Sequence, residues 1–176
     1  MATKTLSNEF MQKIMTEEAW KDLSSSFNWS ETMLEKYQDK VDWNDISTNT
    51  SIRWTVPMIQ KFKRRINWDK FSEYVNEYDV LTENIIETFK DKWNWHKLSR
   101  NSGVNMSFGL LDKFADLWDW DEIIDSYLGK SFIESQAIEF YERYKDRISV
   151  SKMQDSYLWQ EMVEEQKRQL IGEITS

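Results

Sequence analysis

The amino-acid sequence predicts an all-α protein, a short α-solenoid of about five to six helical-hairpin repeats closed by a C-terminal capping helix. Three observations predict it: a composition poor in turn residues, a tryptophan segment that recurs, and an amphipathic pattern ahead of each copy. The 176 residues include 4 Gly and 1 Pro, too few for the many turns of an all-β fold. Hydrophobic residues make up 40%, which is enough to fill a core.

A short segment built around a tryptophan recurs along the chain. In each clear copy a short polar residue precedes the tryptophan and an apolar residue follows it three positions later. These anchor tryptophans, 25, 27 and 25 residues apart, are Trp43, Trp68, Trp95 and Trp120. Weaker copies at 19–24 and 148–153 extend the series with steps of 23 and 30 residues. Self-similarity of this period is the signature of a repeat array.

Each copy is typical of a helix start. The residues just before the helices have side chains that accept the free N–H groups of a first turn: Asp42, Asn67, Asn94, Asp119 and Ser149. The apolar residue just before the cap and the apolar residue four positions after the cap can form a hydrophobic staple. We therefore expect a short helix, here called the anchor helix, to begin after each cap, and we expect the anchor tryptophans to lie in the core.

A second, longer helix is predicted before each anchor helix. Its pattern is two adjacent apolar residues and then an aromatic, as in Met58, Ile59 and Phe62, which places a narrow apolar stripe on one face. We call these the stripe helices. Basic residues in their last turns should suit the helix dipole: Lys40, Arg65, Lys92 and Arg147. A hairpin this small buries its stripe only by stacking on neighbours, hence the solenoid.

The array is predicted to form one domain over residues 1–176, without an internal linker. Residues 6–18 are interpreted as an N-terminal half repeat, residues 19–153 as the repeats, and residues 155–171 as the helix that caps the core. The handedness of the array does not follow from the pattern.

The segment from Trp93 to Ser99, with its W-N-W-x-x-L-S pattern, is similar to Trp-rich tandem helical repeats of uncharacterised bacterial, phage and giant-virus proteins. The resemblance extends over roughly residues 6–153, and its last copy lacks both the tryptophan and the Leu-Ser pair. It implies the fold and leaves the function open.

Composition also narrows the function. The chain has no Cys, which excludes thiolate chemistry and Cys-ligated zinc, and a single His, His96, which excludes a site with two imidazoles from one chain. A net charge of −8 argues against direct binding to nucleic acid or an anionic membrane. No apolar run is long enough to cross a membrane. We expect a cytoplasmic protein that is not an enzyme and carries no cofactor or metal.

One cluster of acids stands out, within ten residues of sequence: Asp116, Asp119, Asp121, Glu122 and Asp125. A hard-cation site would need such oxygens to converge, but Asp119 already has a capping role and the others point in different directions on a short helix. We interpret the cluster as a solvated face, with a metal site or a functional acidic patch as the alternatives. His96 is expected to be exposed rather than a general base.

The sequence favours a non-enzymatic module that presents a helical-repeat surface to a partner protein. A partner-specific surface should lie where the repeats differ, in the loops 48–53, 73–80, 100–105 and 126–132. Aromatic and Arg side chains there are candidate anchors: Tyr74, Tyr78, Arg100, Tyr127 and Phe132. The alternative is a small acidic inhibitor, possibly phage-encoded, whose acidic patch blocks the nucleic-acid-binding site of a host enzyme.

Overall fold

The computed structural model describes residues 8–75, 80–125, 132–134 and 136–175. These residues form helices and the turns between them, and they contain no β-strand. The predicted all-α class is therefore confirmed. Residues 1–80 form one compact unit and residues 81–176 another. The predicted single domain over residues 1–176 stays a prediction.

In the first unit the helices are Asn8–Ser26, Glu31–Tyr37, Trp43–Ile46, Val56–Phe62 and Trp68–Tyr74. In the second unit they are Glu83–Thr88, Trp95–Leu98, Phe108–Lys113, Trp120–Asp125, Ala137–Tyr144, Val150–Met153 and Tyr157–Thr175, with a 3₁₀ turn at Lys145–Arg147. The stripe helices, at six to eight residues, are shorter than predicted and match the anchor helix Trp68–Tyr74 in length. Within the described residues, no helix combines the length and the apolar character that a membrane span needs.

The anchor helices begin where the sequence predicts, at Trp43, Trp68, Trp95, Trp120 and Val150. Asp42 Oδ1 accepts the N–H of Asn44 at 2.8 Å, and Asn67 and Asn94 cap their helices in the same way. Asp119 Oδ1 accepts the N–H of Glu122 at 3.3 Å. Ser149 makes no side-chain cap bond, so the last copy departs from the others in its cap as well as in its tryptophan.

Each anchor tryptophan closes the end of the stripe helix before it. The indole Nε1 donates to the backbone carbonyl five residues earlier at 2.9 to 3.0 Å, in the pairs Trp43 to Gln38, Trp68 to Lys63, Trp95 to Lys90 and Trp120 to Ala115. Carbonyls at a helix C-terminus have no partner inside the helix, so the indole supplies one. Only Trp120 is fully buried, and the other three are half-buried. The anchor tryptophans were expected in the core, which is where Trp120 lies, whereas Trp43, Trp68 and Trp95 leave part of the ring exposed.

Buried serines join successive copies of the repeat at two junctions of the first unit. Ser47 Oγ donates to the carbonyl of Trp43 at 2.6 Å and accepts the N–H of Asn67 at 2.9 Å. Ser24 bonds in the same way, to the carbonyl of Trp20 at 2.7 Å and to the N–H of Asp42 at 2.9 Å. We call this two-bond contact the serine link.

The second unit repeats the acceptor bond of the serine link at one junction and replaces it at the next. Ser99 Oγ accepts the N–H of Asp119 at 2.9 Å. One repeat later Ile124 occupies the serine position, and Asp121 Oδ1 accepts the N–H of Ser149 at 3.3 Å instead. The N–H of the cap residue thus finds a side-chain acceptor at each of these junctions.

The stripe helices supply the core, as the pattern predicts. Their central apolar residues are fully buried: Leu34, Ile59, Ile86 and Leu111. The aromatic residue three positions on is also buried in Phe62, Phe89 and Phe114. The apolar residue after each anchor tryptophan, such as Ile46 or Leu98, is buried too, so both helices of a copy contribute to the same apolar layer.

The first and last helices differ from the sequence prediction. Residues 6–18 and 19–24 were expected to be separate, but one continuous helix covers Asn8–Ser26. The reason is that Ala19 stands where the other copies have a capping Asp or Asn, so nothing stops the helix and starts a new one. The predicted capping helix 155–171 begins at Tyr157 and continues to Thr175.

Candidate functional site

The structure places three of the five predicted partner-binding residues. Tyr74 is the last residue of its helix and is 45% exposed, and Arg100 is exposed just after the Trp95–Leu98 helix. Tyr78 and Tyr127 lie outside the described residues. Tyr74 and Arg100 are therefore available to a partner.

Phe132 is in a different situation. It is half-buried, and its ring lies 5.0 Å from that of Phe108 and 6.4 Å from that of Phe140. Aromatic rings at these separations stabilise each other, so Phe132 contributes to the packing of the second unit. Less of its ring is open to a partner than in the case of Tyr74.

Two of the four variable loops, 48–53 and 100–105, are held in place by buried asparagines. Asn49 Nδ2 donates to the carbonyls of Ser24 and Phe27, both at 2.9 Å, and its Oδ1 accepts the N–H of Ser51 at 2.8 Å. In the second unit Asn101 is also buried, and its Oδ1 accepts the N–H of Gly103 at 2.8 Å. A loop fixed in this way presents its exposed side chains in one arrangement, which lowers the entropy lost on binding.

The acidic cluster is engaged in contacts between successive copies. Asp116 pairs with Arg147 at 2.8 Å, Asp119 Oδ2 lies 2.7 Å from His96 Nδ1, and Asp121 accepts the N–H of Ser149. Three of the five acids thus have a structural task, whereas the interpretation as a solvated face included only the capping role of Asp119. A sequence offers no direct sign of this, because the partners lie 23 to 31 residues away.

The remaining two acids are Glu122 and Asp125. Glu122 Oε1 is 3.8 Å from His96 Nε2, and Asp125 is exposed at the end of its helix. No group of three or more His, Asp or Glu side chains in the described parts of the chain has the arrangement of a metal site. Asp125 is accordingly the acid whose change should disturb the fold least.

His96 lies where another copy of the repeat has an asparagine. Its side chain is 54% exposed, in agreement with the expectation, and it contacts the cap residue of the next copy, Asp119. In the first unit Asn44 Oδ1 accepts from Asn67 Nδ2 at 2.6 Å, which is the same contact one residue after the anchor tryptophan. This recurrence favours a structural role for His96 over general-base chemistry.

Ion pairs join successive stripe helices on their exposed side. Lys61 Nζ lies 3.0 Å from Glu31 and 2.8 Å from Glu35. In the second unit Lys113 repeats the pattern with Glu83 at 2.8 Å and Glu87 at 2.7 Å. Hydrogen bonds to these carboxylates raise the pKa of both lysines. Exposed pairs of this kind contribute little stability each, but they fix the register of neighbouring helices.

The last stripe helix carries a stronger version of this contact. Arg143 binds Asp112 through two nitrogens, and the hydroxyl of Tyr144 donates to the same carboxylate at 2.9 Å. The Arg143 guanidinium, followed by the Tyr144 hydroxyl, holds the pKa of Asp112 below its usual range. Burial and the hydrogen bond to Asp112 raise the pKa of Tyr144. Arg143 also covers the ring of Phe108 at 4.8 Å.

Two of the basic residues at the stripe-helix ends interact with the previous copy. Arg65 donates to the carbonyl of Gln38 at 3.2 Å and pairs with Asp39 at 2.7 Å. Arg147 does the same with the carbonyl of Ala115 and with Asp116. The expectation that they would balance the dipole of their own helix was therefore incomplete, since each reaches the C-terminus of the preceding stripe helix.

An apolar surface on the first helix was not predicted as a binding candidate. Met11, Met15 and Leu23 are exposed there, and with Ala19 they recur every four residues along one face. Beside them a groove of about 730 Å³ separates this helix from the turn at 39–42. The four-residue spacing was the available signal, but the half-repeat interpretation assigned these residues to packing.

Comparison with protein-family models, with curated proteins and with solved structures finds no match to this chain. The function must therefore be argued from its own residues.

Proposed function

We propose that this protein is a non-enzymatic binding module, an α-solenoid of about five to six helical-hairpin repeats that presents a fixed surface to a partner protein. The Trp-rich helical repeats that the sequence resembles agree with the architecture and leave the partner open.

Support for the repeat architecture comes from contacts that recur within each unit. Three contacts occur in both units with nearly equal distances: the indole bond to the preceding helix end, the bond from the cap N–H to a serine hydroxyl, and the lysine with two glutamates. Stability in a repeat protein arises from such nearest-neighbour contacts. The residues that recur are thus occupied with holding the array together.

The observation that carries the binding proposal is the exposure of side chains that do not recur. Tyr74 and Arg100 are exposed. Each belongs to a loop whose sequence differs from that of the corresponding loop in the other repeats. Tyr and Arg are the residue types that most often anchor protein interfaces. A protein partner fits this chemistry, because both side chains lie on the surface and not in a pocket lined by several polar groups.

The experiment is affinity capture from extracts of the natural source, followed by measurement of the captured partner's affinity for single variants. Tyr74→Ala and Arg100→Ala should each weaken binding about tenfold, or 1.4 kcal/mol. Arg64→Ala is the matched control, since Arg64 is an exposed arginine at a stripe-helix end. Thermal unfolding should be unchanged in all three. Full affinity in both test variants would refute the assignment of these residues.

The acidic-inhibitor alternative rests on the net charge of −8. Charge reversal at Asp116 or Asp121 is a poor test of it, because both hold contacts between copies. Asp125→Lys is cleaner. If this change abolishes binding, and if affinity falls steeply between low and physiological salt, the partner is a basic groove and the alternative is correct.

A further inference from the structure

The C-terminal helix Tyr157–Thr175 has one packed face and one apolar face that no described residue covers. Leu158 is buried, Met162 and Glu165 are half-buried, and the helix packs on the Ala137–Tyr144 and Trp120–Asp125 helices. From residue 166 to residue 175 every side chain is exposed. The exposed apolar residues of one face are Trp159, Val163, Leu170 and Ile174, at 40%, 41%, 45% and 82% exposure.

These four residues form a single stripe. At 100° per residue they fall within about 60° of one another around the helix axis, and they extend over about 22 Å along it. Gln166 occupies the same stripe at its middle. A stripe of this width is the seam with which one helix packs against another.

The stripe is nearly symmetric about the point between Gln166 and Lys167. If a second, antiparallel copy of the helix is centred there, Val163 faces Leu170 of that copy and Trp159 faces its Ile174. Each large apolar residue then meets an apolar residue, and the two Gln166 amides meet near the middle. A surface that matches itself under a two-fold rotation is what an isologous dimer requires.

The charges favour the same orientation. Glu164 and Lys167 lie on the same edge of the stripe and pair within the helix at 2.7 Å. In an antiparallel pair identical edges meet, so the two Lys167 side chains lie next to each other at the axis, and each is within one turn of Glu164 of both copies. In a parallel pair this edge would meet the opposite one, which carries Met162, Gln169 and Glu173, and Glu173 would lie six residues, about 9 Å, along the axis from Lys167.

We infer that the Trp159–Val163–Leu170–Ile174 face binds a second copy of this chain as an antiparallel helix pair. The inference is independent of the proposed function, since it uses a different surface, and the loop residues remain free for a partner.

Sedimentation velocity tests the dimer over about 10 µM to about 1 mM, the range that suits a modest interface. The wild type should shift from monomer to dimer. Leu170→Glu should weaken the dimer about tenfold or more, because a carboxylate would be buried without a partner in the seam. Met15→Glu is the control, at an exposed apolar residue on the first helix (62%, against 45% for Leu170), and should leave the dimer intact. A wild type that stays monomeric throughout, or dissociation by Met15→Glu alone, would overturn the inference.

Cysteine cross-linking tests the orientation, because the chain has no cysteine of its own. Gln166→Cys, near the two-fold axis, should form a disulfide-linked dimer on its own. Ile174→Cys should not, but a mixture of Ile174→Cys with Trp159→Cys should cross-link the two variants. If Ile174→Cys cross-links to itself, and the mixture gives no cross-link between Ile174→Cys and Trp159→Cys, the pair is parallel and the assignment is contradicted.

Discussion

At the scale of single residues, the serine link explains why a serine follows the apolar residue of the anchor helix. Its hydroxyl donates to the carbonyl four residues back and accepts the N–H of the next cap residue, which starts a new helix. The cap N–H of Asn67 is only partly exposed, so without the serine it would lose its acceptor in a poorly hydrated place. One side chain thus holds two copies of the repeat together.

Ser47→Ala should therefore lower the free energy of unfolding by about 1–3 kcal/mol, since it removes one hydrogen bond and leaves the Asn67 N–H without its acceptor. Urea denaturation measures the change. Ser51→Ala, at an exposed serine of the neighbouring loop, should stay within about 0.5 kcal/mol of wild type. Equal losses in the two variants would mean that the link is not made.

The Asp112 carboxylate should make stability depend on acid pH. Its pKa in the folded protein is held low, chiefly by Arg143 and then by Tyr144. A carboxyl of this kind stabilises the fold above its unfolded-state pKa, and the contribution is lost as the pH falls through the folded-state pKa. The difference in unfolding free energy between wild type and Asp112→Asn should be constant from about pH 7 to about pH 5 and shrink below about pH 4. A difference that persists unchanged to about pH 2 would contradict this.

The local hydrogen bonds of single residues could be predicted from the sequence, but the hydrogen bonds to residues far away in the chain could not. The caps Asp42, Asn67 and Asn94 were predictable because a cap bonds within three residues of itself. The serine link was not, because its acceptor role involves a residue about twenty positions away. The anchor tryptophans were assigned to the core from their periodicity, which cannot show that the indole N–H needs a carbonyl at the surface end of a helix.

At the scale of helices, the period and the stripe predicted which segments are helical, and the caps predicted where the anchor helices begin. The prediction failed where a cap is missing: Ala19 allows the first helix to run on to Ser26. It also overestimated the stripe helices, which end at the aromatic residue of the stripe, as at Tyr37 and Phe62. The indole N–H of the following anchor tryptophan then donates to a free carbonyl at this helix end.

One junction in the second unit lacks a contact that the others have. Arg65 pairs with Asp39 and Arg147 with Asp116, in each case from one copy to the previous one. At this junction Asp91 occupies the position of the acid and Leu117 the position of the arginine, and Leu117 is 43% exposed. An exposed leucine therefore occupies the place of a cation.

Leu117→Arg should restore this contact and raise the free energy of unfolding by about 0.2–1 kcal/mol, the range for exposed ion pairs. The gain should vanish at about 1 M salt, where exposed charges are screened within about 3 Å. Leu117→Gln controls for the loss of the exposed apolar surface. The double variant Asp91→Asn with Leu117→Arg keeps the new cation but removes the negative charge of its partner. A gain of equal size in the double variant would show that the cation acts elsewhere.

At the scale of the molecule, the candidate site was only partly predictable. Tyr74 and Arg100 were proposed because they do not recur, and both are exposed. Phe132 met the same criterion and yet packs against Phe108 and Phe140, since an aromatic in a variable loop can also fill a local gap. The open faces of the first and last helices escaped prediction, because a terminal repeat uses the same apolar spacing that elsewhere means burial.

The serine link, or its bond to the cap N–H, joins successive copies at three junctions within the two units. Amide hydrogen exchange measured by NMR tests it residue by residue, because the serine link protects the N–H of the cap residue. The N–H groups of Asp42, Asn67 and Asp119 accordingly bond to Ser24, Ser47 and Ser99. Caps of the stripe helices are the matched comparison, since they are exposed: Ser30, Thr55 and Ser107.

We expect Asp42, Asn67 and Asp119 to exchange at least about 100-fold more slowly than the three stripe-helix caps, because their N–H groups are hydrogen-bonded and part-buried. In Ser47→Ala, the protection should be lost at Asn67 and kept at Asp119. Exchange of Asp42, Asn67 and Asp119 at the same rate as Ser30, Thr55 and Ser107 would contradict the account.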